Sequence, residues 1–359
     1  MRIRPGMGRK SSNKNPQIFS HEFVIHNHAD IVSCLVMIFV VGLLDETTSH
    51  FTSAFVTLQH NVTGQDSSRD NPTGRTYTYV AGIKDYCSVF FYTLTCIIMH
   101  AIIQEFLLDK CTKKLHLSKY KLAIFNESGQ LIVFYIISVF WGGRVILREG
   151  YFTQFSLLWE DFPKHPMTYM HKFFFIIQMA YYLHMLPELY FQKVKKEDQQ
   201  SKILHSIFGF GIICLAYSFG FQRITIVLLT LHYVGEIVTH IFQLIDIFDR
   251  NEKLLNLRVL NSFTFVSVRF LNMVIGVLTL YYGIANTEST MRALFALFGL
   301  IVLQGYLIFS FITEYFRMKR EEQREARNHQ LRKPKSSKDK LKRRKESDLP
   351  EVDQHRMLK

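Results

Sequence analysis

The sequence predicts an all-α, polytopic membrane protein with about eight transmembrane helices. Three observations carry that expectation: long, nearly uncharged windows, basic residues gathered on one side of those windows, and a glycosylation sequon on the other side. The chain has 359 residues, of which 48% are apolar or aromatic and 20% charged, and its mean hydropathy is +0.07. These averages would suit a soluble protein, but they mix two populations. A helix needs roughly 20 apolar residues to cross a bilayer, so eight spans would use about 160 residues. That matches the apolar fraction and excludes a mainly soluble domain, a disordered chain, collagen and a disulfide scaffold.

The spans follow in order. The first is Ile31–Leu44, extended from Ala29 to Thr48, and the second is Tyr86–Leu108. The third is Gly129–Leu147, and the fourth is His171–Phe191, which contains Pro187. Ile203–Phe221 and Ile224–Phe248 form a helical hairpin, with Gln222 and Arg223 expected at its turn. Val259–Ile284 and Ala293–Ile312 complete the set. Each can satisfy its own backbone as a helix. Gly142, Gly143, Gly209 and Gly211 are expected to allow close helix approach. Residues 1–30 are basic and polar, so no cleavable signal peptide is expected and the first span serves for targeting.

Placing the N-terminus in the cytosol puts 33 of the 43 basic residues on that face and 7 in the opposite loops. The positive-inside rule then sets both termini in the cytosol. Asn61-Val62-Thr63 falls in the first lumenal loop and is the expected glycosylation site, whereas Asn126-Glu127-Ser128 falls in a cytosolic loop.

Polar groups inside spans are costly and face the bundle interior or water. His232, Glu236 and His240 recur every four residues and share one helix face. Three such side chains resemble a ligand set, but zinc sites draw on more than one element. The expected role is an inner polar stripe, hydrogen-bonded to neighbouring spans or touching lipid or polypeptide. Glu105 and Glu188 are placed near the cytosolic ends, within reach of water. His21, His26 and His28 supply interfacial polarity, and Trp141, Trp159, Tyr181 and Tyr182 serve for packing or as interfacial anchors. The five cysteines show no metal spacing and read as buried free thiols. No phosphate loop, nucleophile elbow or zinc-protease motif occurs, so no cofactor, metal or catalytic set is expected.

Beyond the last span the pattern continues as a helix to about Gln330, ended by Pro334. The stretch from Glu314 to Lys359 holds 16 basic and 9 acidic residues. This tail suits anionic lipid or ribosomal RNA contacted through charge alone. Sequence-specific nucleic-acid recognition is not expected.

The stretches SHEFVIHNHADIVSCL (Ser20–Leu35), FVTLQHNVT (Phe55–Thr63), GIKDYCSVFFY (Gly82–Tyr92), HAIIQEFLLDK (His100–Lys110), LHLSKYKLAIFNESGQL (Leu115–Leu131), LPELYFQKVKKED (Leu186–Asp198) and LHYVGEIVTH (Leu231–His240) resemble the translocating chain-associated membrane protein family of the endoplasmic reticulum. The resemblance implies eight spans, cytosolic termini, a glycosylated first lumenal loop and association with the Sec translocon. It also implies help for nascent secretory and membrane proteins and their signal sequences. It divides the chain into a cytosolic segment 1–28, two helices with a lumenal loop over 29–117, a TLC-type helical bundle over 118–327 and a basic, disordered cytosolic tail 328–359. The TLC module is shared with ceramide synthases, so a lipid enzyme or lipid-binding protein is the alternative. Here His205 and His232 match two synthase histidines and Glu236 the later acid, while Arg223 and Tyr217 fit the spacing. Ser206 replaces the second histidine of the pair, and Tyr233 replaces the aspartate. The acid–base set is therefore broken at two places, which favours a non-catalytic relative.

Overall fold

The computed structural model describes residues 20–62, 77–192, 196–248, 255–286 and 289–332. The chain divides into two compact units, 1–301 and 302–359. The helices are α1 (His21–His26), α2 (His28–Gly42), α3 (Glu46–Val56), α4 (Asp85–Ile103), α5 (Asp109–Thr112), α6 (Lys119–Arg148), α7 (Tyr169–Phe191), α8 (Lys196–Ser218), α9 (Gln222–Phe248), α10 (Leu255–Val277) and α11 (Thr290–Arg332). Among the described residues, 6 helical segments are long and apolar enough to cross a membrane: Asp85–Thr112, Lys119–Arg148, Gln199–Ser218, Gln222–Phe248, Leu257–Asn286 and Thr290–Glu321. The chain is a helical, multi-pass membrane protein.

Two expected spans differ from these six. The first shortens to α2, which ends at Gly42. Asp45 then starts a new helix, α3, because its carboxylate accepts the Thr48 amide at 3.1 Å as an N-cap. The Thr47 hydroxyl and the Thr48 amide hold the Asp45 carboxyl below its usual range. The fourth span is α7, which carries Lys172, Glu188 and two histidines and so falls short of the apolar composition of the six. Its polarity is tolerated because α4, α6 and α8 pack around it. Phe174, Phe175, Ile176, Met179 and Ala180 are fully buried there, in the main core.

The hairpin turn also moves. It lies at 219–221, where Gly220 has φ +91°, a conformation that suits a residue without Cβ. Gln222 and Arg223 already belong to α9. Of the four glycines, two permit close approach. A Cβ at Gly142 would collide with Thr230 Oγ1 of α9, and one at Gly209 with the Tyr182 ring of α7, while nothing lies within 4 Å at Gly143 or Gly211. Gly142→Leu should therefore destabilise the protein by ~1–3 kcal/mol, and Gly143→Leu should leave it unchanged. Thermal unfolding in detergent checks the pair; equal melting temperatures for the two variants would contradict the packing.

Strands appear where only helices were expected. Among the described residues, three two-residue strands, β1 (Asn61–Val62), β2 (Thr78–Tyr79) and β3 (Met167–Thr168), form an antiparallel sheet in the order β1-β2-β3. Asn61 pairs with Tyr79, and Tyr79 with Met167, so the sheet ties the segment after α3 to the segment before α7. Asn61 is exposed on the edge strand, while Thr63 lies outside the described residues. All five cysteines are free, and none is fully buried; Cys34 and Cys111 are exposed. Of the tail, the helix to Arg332 is described and residues 333–359 are not.

Candidate functional site: a polar face within the bundle

α9 packs along α6 on one side and α10 on the other, whereas α8 packs chiefly on α7. The residues expected to form the polar stripe divide among these neighbours. His232 and Glu236 turn toward α10, where Arg269 is 2% exposed. Arg269 Nη2 donates to Glu236 Oε1 at 3.1 Å and to His232 Nδ1 at 3.0 Å. His232 Nδ1 is thus an acceptor, which leaves the ring proton on Nε2. The guanidinium also lies over Phe265, 4.8 Å from the ring centroid. The unit is a charge-balanced Arg–Glu pair with a bonded imidazole, near the middle of α9.

His240 belongs to a separate group facing α6. Its Nδ1 donates to Gln243 Oε1 at 3.0 Å, and Ser128 Oγ donates to the same oxygen at 2.9 Å. Its ring stacks on Tyr135 at 5.7 Å. His205, on α8, is exposed, with its ring 5.7 Å from that of Tyr182. Arg223 lies in the first turn of α9, nine residues before His232 and roughly 13 Å away along the axis. Its Nη1 donates to the Leu157 and Glu160 carbonyls at 2.7 and 3.1 Å and fixes the turn Phe155–Leu158. Burial, with Arg223 beside it, pushes the nearby His165 imidazole down to about 4, so it is neutral at neutral pH.

The two positions that depart from the synthase pattern have structural partners. Ser206 is fully buried and donates to the Tyr182 carbonyl. Tyr233 is also fully buried; its hydroxyl donates to Gln178 Oε1 at 2.7 Å, and Gln178 Nε2 donates to Ser138 Oγ at 3.0 Å. Tyr135 and Tyr233 stack at 4.9 Å. His205 is exposed, and His232 already accepts a bond from Arg269. Among the described residues, no three histidine, cysteine or acidic side chains are placed to hold a metal.

A second buried ion pair lies outside the residues expected to form polar sites. Lys172 and Asp85 meet at 2.7 Å, their side chains 0% and 1% exposed. Lys172 Nζ also donates to the Gln59 and Val80 carbonyls at 2.7 and 2.8 Å. Asp85 Oδ2 accepts from the Tyr217 hydroxyl at 2.7 Å and the Gly82 amide at 2.8 Å. One buried charge pair thus joins α4, α7, α8 and the segment after α3. The available signal was a lone lysine within YMHKFFFIIQMAYY, where an unpaired charge is not tolerated.

Glu188 corrects another expectation: it is buried rather than water-facing, 3.4 Å from His100 Nε2, while Glu105 is exposed. His28 stacks on Phe191 at 4.4 Å and His21 meets Tyr190 edge-on at 5.1 Å, so these histidines pack on the end of α7. Trp141 Nε1 donates to the Met170 carbonyl at 3.1 Å, and Tyr181 stacks on Phe134.

Residues 124–313 match the TLC domain family. The chain is 39% identical over 285 residues to translocating chain-associated membrane protein 2 of Mus musculus, covering 79% of this chain and 75% of that protein. It is also 39% identical over 284 residues to the Homo sapiens protein of that name, with coverage of 79% and 75%. It is 24% identical over 170 residues to sphingosine N-acyltransferase lag1 of Schizosaccharomyces pombe, covering 47% of this chain and 41% of that protein.

Proposed function

We propose a role from one premise: this chain belongs to the translocating chain-associated membrane protein family, and residues 124–313 form a TLC domain. It acts as a non-enzymatic accessory of the Sec protein-conducting channel in the endoplasmic reticulum membrane. It assists nascent secretory and membrane proteins during translocation and insertion. Both termini face the cytosol, as the basic residues require, and the basic tail is turned toward the ribosome or anionic lipid.

The observation that carries this reading is the charge-balanced Arg269–Glu236–His232 unit in mid-bundle, in a chain similar to proteins named for association with translocating chains. A buried ion pair draws polar groups and water toward the bilayer interior. A hydrophobic segment leaving the channel thereby meets a surface less apolar than lipid, which helps weak signals most. Of the other polar residues, His205 is exposed on α8 and open to a passing segment, whereas Arg223 is held by loop carbonyls and His240 by its own group facing α6.

Proteoliposomes with purified channel, with and without this protein, test the role. Added protein should raise the translocated fraction of a client with a weakly hydrophobic signal severalfold and leave a strongly hydrophobic one unchanged. No change for either client would overturn the role. The non-enzymatic assignment has its own readout: purified protein given sphingoid base and acyl-CoA should form no amide, and turnover abolished by His205→Ala and His232→Ala would contradict it.

Exposure of Asn61 on an edge strand supports its glycosylation. Asn126 lies within α6, with its side-chain oxygen buried. Asn61→Gln should increase gel mobility to that of glycosidase-treated protein, and Asn126→Gln should not. Unchanged mobility of Asn61→Gln would place no glycan there.

A further inference from the structure

The short connection between two spans, Asp85–Thr112 and Lys119–Arg148, carries the strongest compact charge of the described residues. Lys110, Lys113, Lys114 and Lys119 are all exposed within ten residues, with His116 exposed among them. Among the described residues none of these lysines is ion-paired. Lys121 is engaged, since its Nζ donates to the Ile247 carbonyl at 2.6 Å. The acids nearby are Asp109, whose Oδ1 accepts from Gln104 Nε2 at 2.7 Å, and the exposed Glu105. A cavity of about 260 Å³ opens in this turn, lined by Asp109, Thr112, Lys113, His116, Leu117 and Leu122.

The apolar residues beside the turn point to its ligand. Phe106 and Leu107, 59% and 47% exposed, lie one helical turn before the lysines. Such side chains on a spanning helix face lipid tails. Lys110 Nζ lies 5.1 Å from the Phe106 ring centroid, so its stem follows the apolar surface and its charge ends at the boundary. Tyr120, 76% exposed, stands at the same level, where interfacial tyrosines anchor. With lipid-facing side chains one turn away and an interfacial tyrosine beside them, the lysines stand where a spanning helix leaves the hydrocarbon, the level at which phospholipid phosphates lie.

We infer that this turn is a binding site for the headgroup of an anionic phospholipid, with Lys113 and His116 lining the cavity and Lys110, Lys114 and Lys119 around it. The phosphodiester is the recognised chemistry, and its source is the bilayer. This site is separate from the intramembrane polar unit and does not depend on the role proposed above.

The test uses the purified full-length chain in neutral detergent. Dissociation constants are measured for dioctanoyl phosphatidylserine and phosphatidylinositol, with dioctanoyl phosphatidylcholine, inorganic phosphate and a short RNA oligonucleotide as comparisons. Losing charge-assisted contacts to the phosphodiester, Lys113→Gln/Lys114→Gln should weaken the anionic lipids ~10-fold or more. The charge-matched control Lys84→Gln/Lys164→Gln, at the start of α4 and in the segment between α6 and α7, should stay within about twofold. Unchanged lipid affinity in the first variant overturns the site. So does an equal loss for phosphatidylcholine, a loss confined to RNA, or inorganic phosphate binding as tightly as the lipids.

Discussion

Lys172→Met should be among the most destabilising single substitutions in this chain, at ~3–5 kcal/mol, because it leaves the Asp85 carboxylate buried and unpaired. The change also frees the Gln59 and Val80 carbonyls, and so loosens the segment that carries the sheet. Asp85→Leu should cost a similar amount by stranding the ammonium group. The double variant Asp85→Leu/Lys172→Met should recover much of the loss, since two apolar side chains impose no desolvation penalty. Thermal unfolding in detergent reads all three. A single variant that melts with the unmodified protein would contradict the buried-pair reading, and so would a double variant less stable than both singles.

Arg269→Leu should have the second largest effect. It removes the cation from Glu236 and the donor from His232, and the carboxyl must then become neutral or draw in water. A destabilisation of ~3 kcal/mol is expected from breaking a pair this buried. Arg269→Leu/Glu236→Leu separates stability from role. It should restore folding, yet lose the assistance to weakly hydrophobic clients. Normal assistance by that well-folded double variant would show that the polar unit is not what clients need.

Much of this architecture is legible in the sequence, because spans announce themselves by composition. The expected spans Tyr86–Leu108 and Ile224–Phe248 nearly coincide with the helical segments Asp85–Thr112 and Gln222–Phe248, since lipid-facing helices are apolar over most of their length. The fourth expected span is a helix, α7, but is not among the six apolar enough to cross, and the role of Lys172 within it is not legible because its partner lies 87 residues away in α4. His232 and Glu236 were legible as one face of α9, whereas the Arg269 that makes them a unit comes from α10. Arg223 matched by spacing alone and proved to bind loop carbonyls at the end of the helix. Gly142 and Gly143 look alike in sequence, and only the helix phase decides which one meets Thr230. The sheet was invisible because a two-residue strand has no periodicity to read.

In the proposed role, a nascent segment leaving the channel touches this protein along α8 and α9. Photocrosslinking tests it most directly. A photoreactive side chain is placed at His205, which is exposed on α8, or at Val234, 38% exposed on α9. Ribosome-bound chains are then stalled with a weakly hydrophobic segment just past the channel. A crosslink between the stalled segment and these positions is expected, weaker when the probe is at Lys164, outside the spans. A stalled segment that crosslinks to the channel but to none of the helix positions would contradict it.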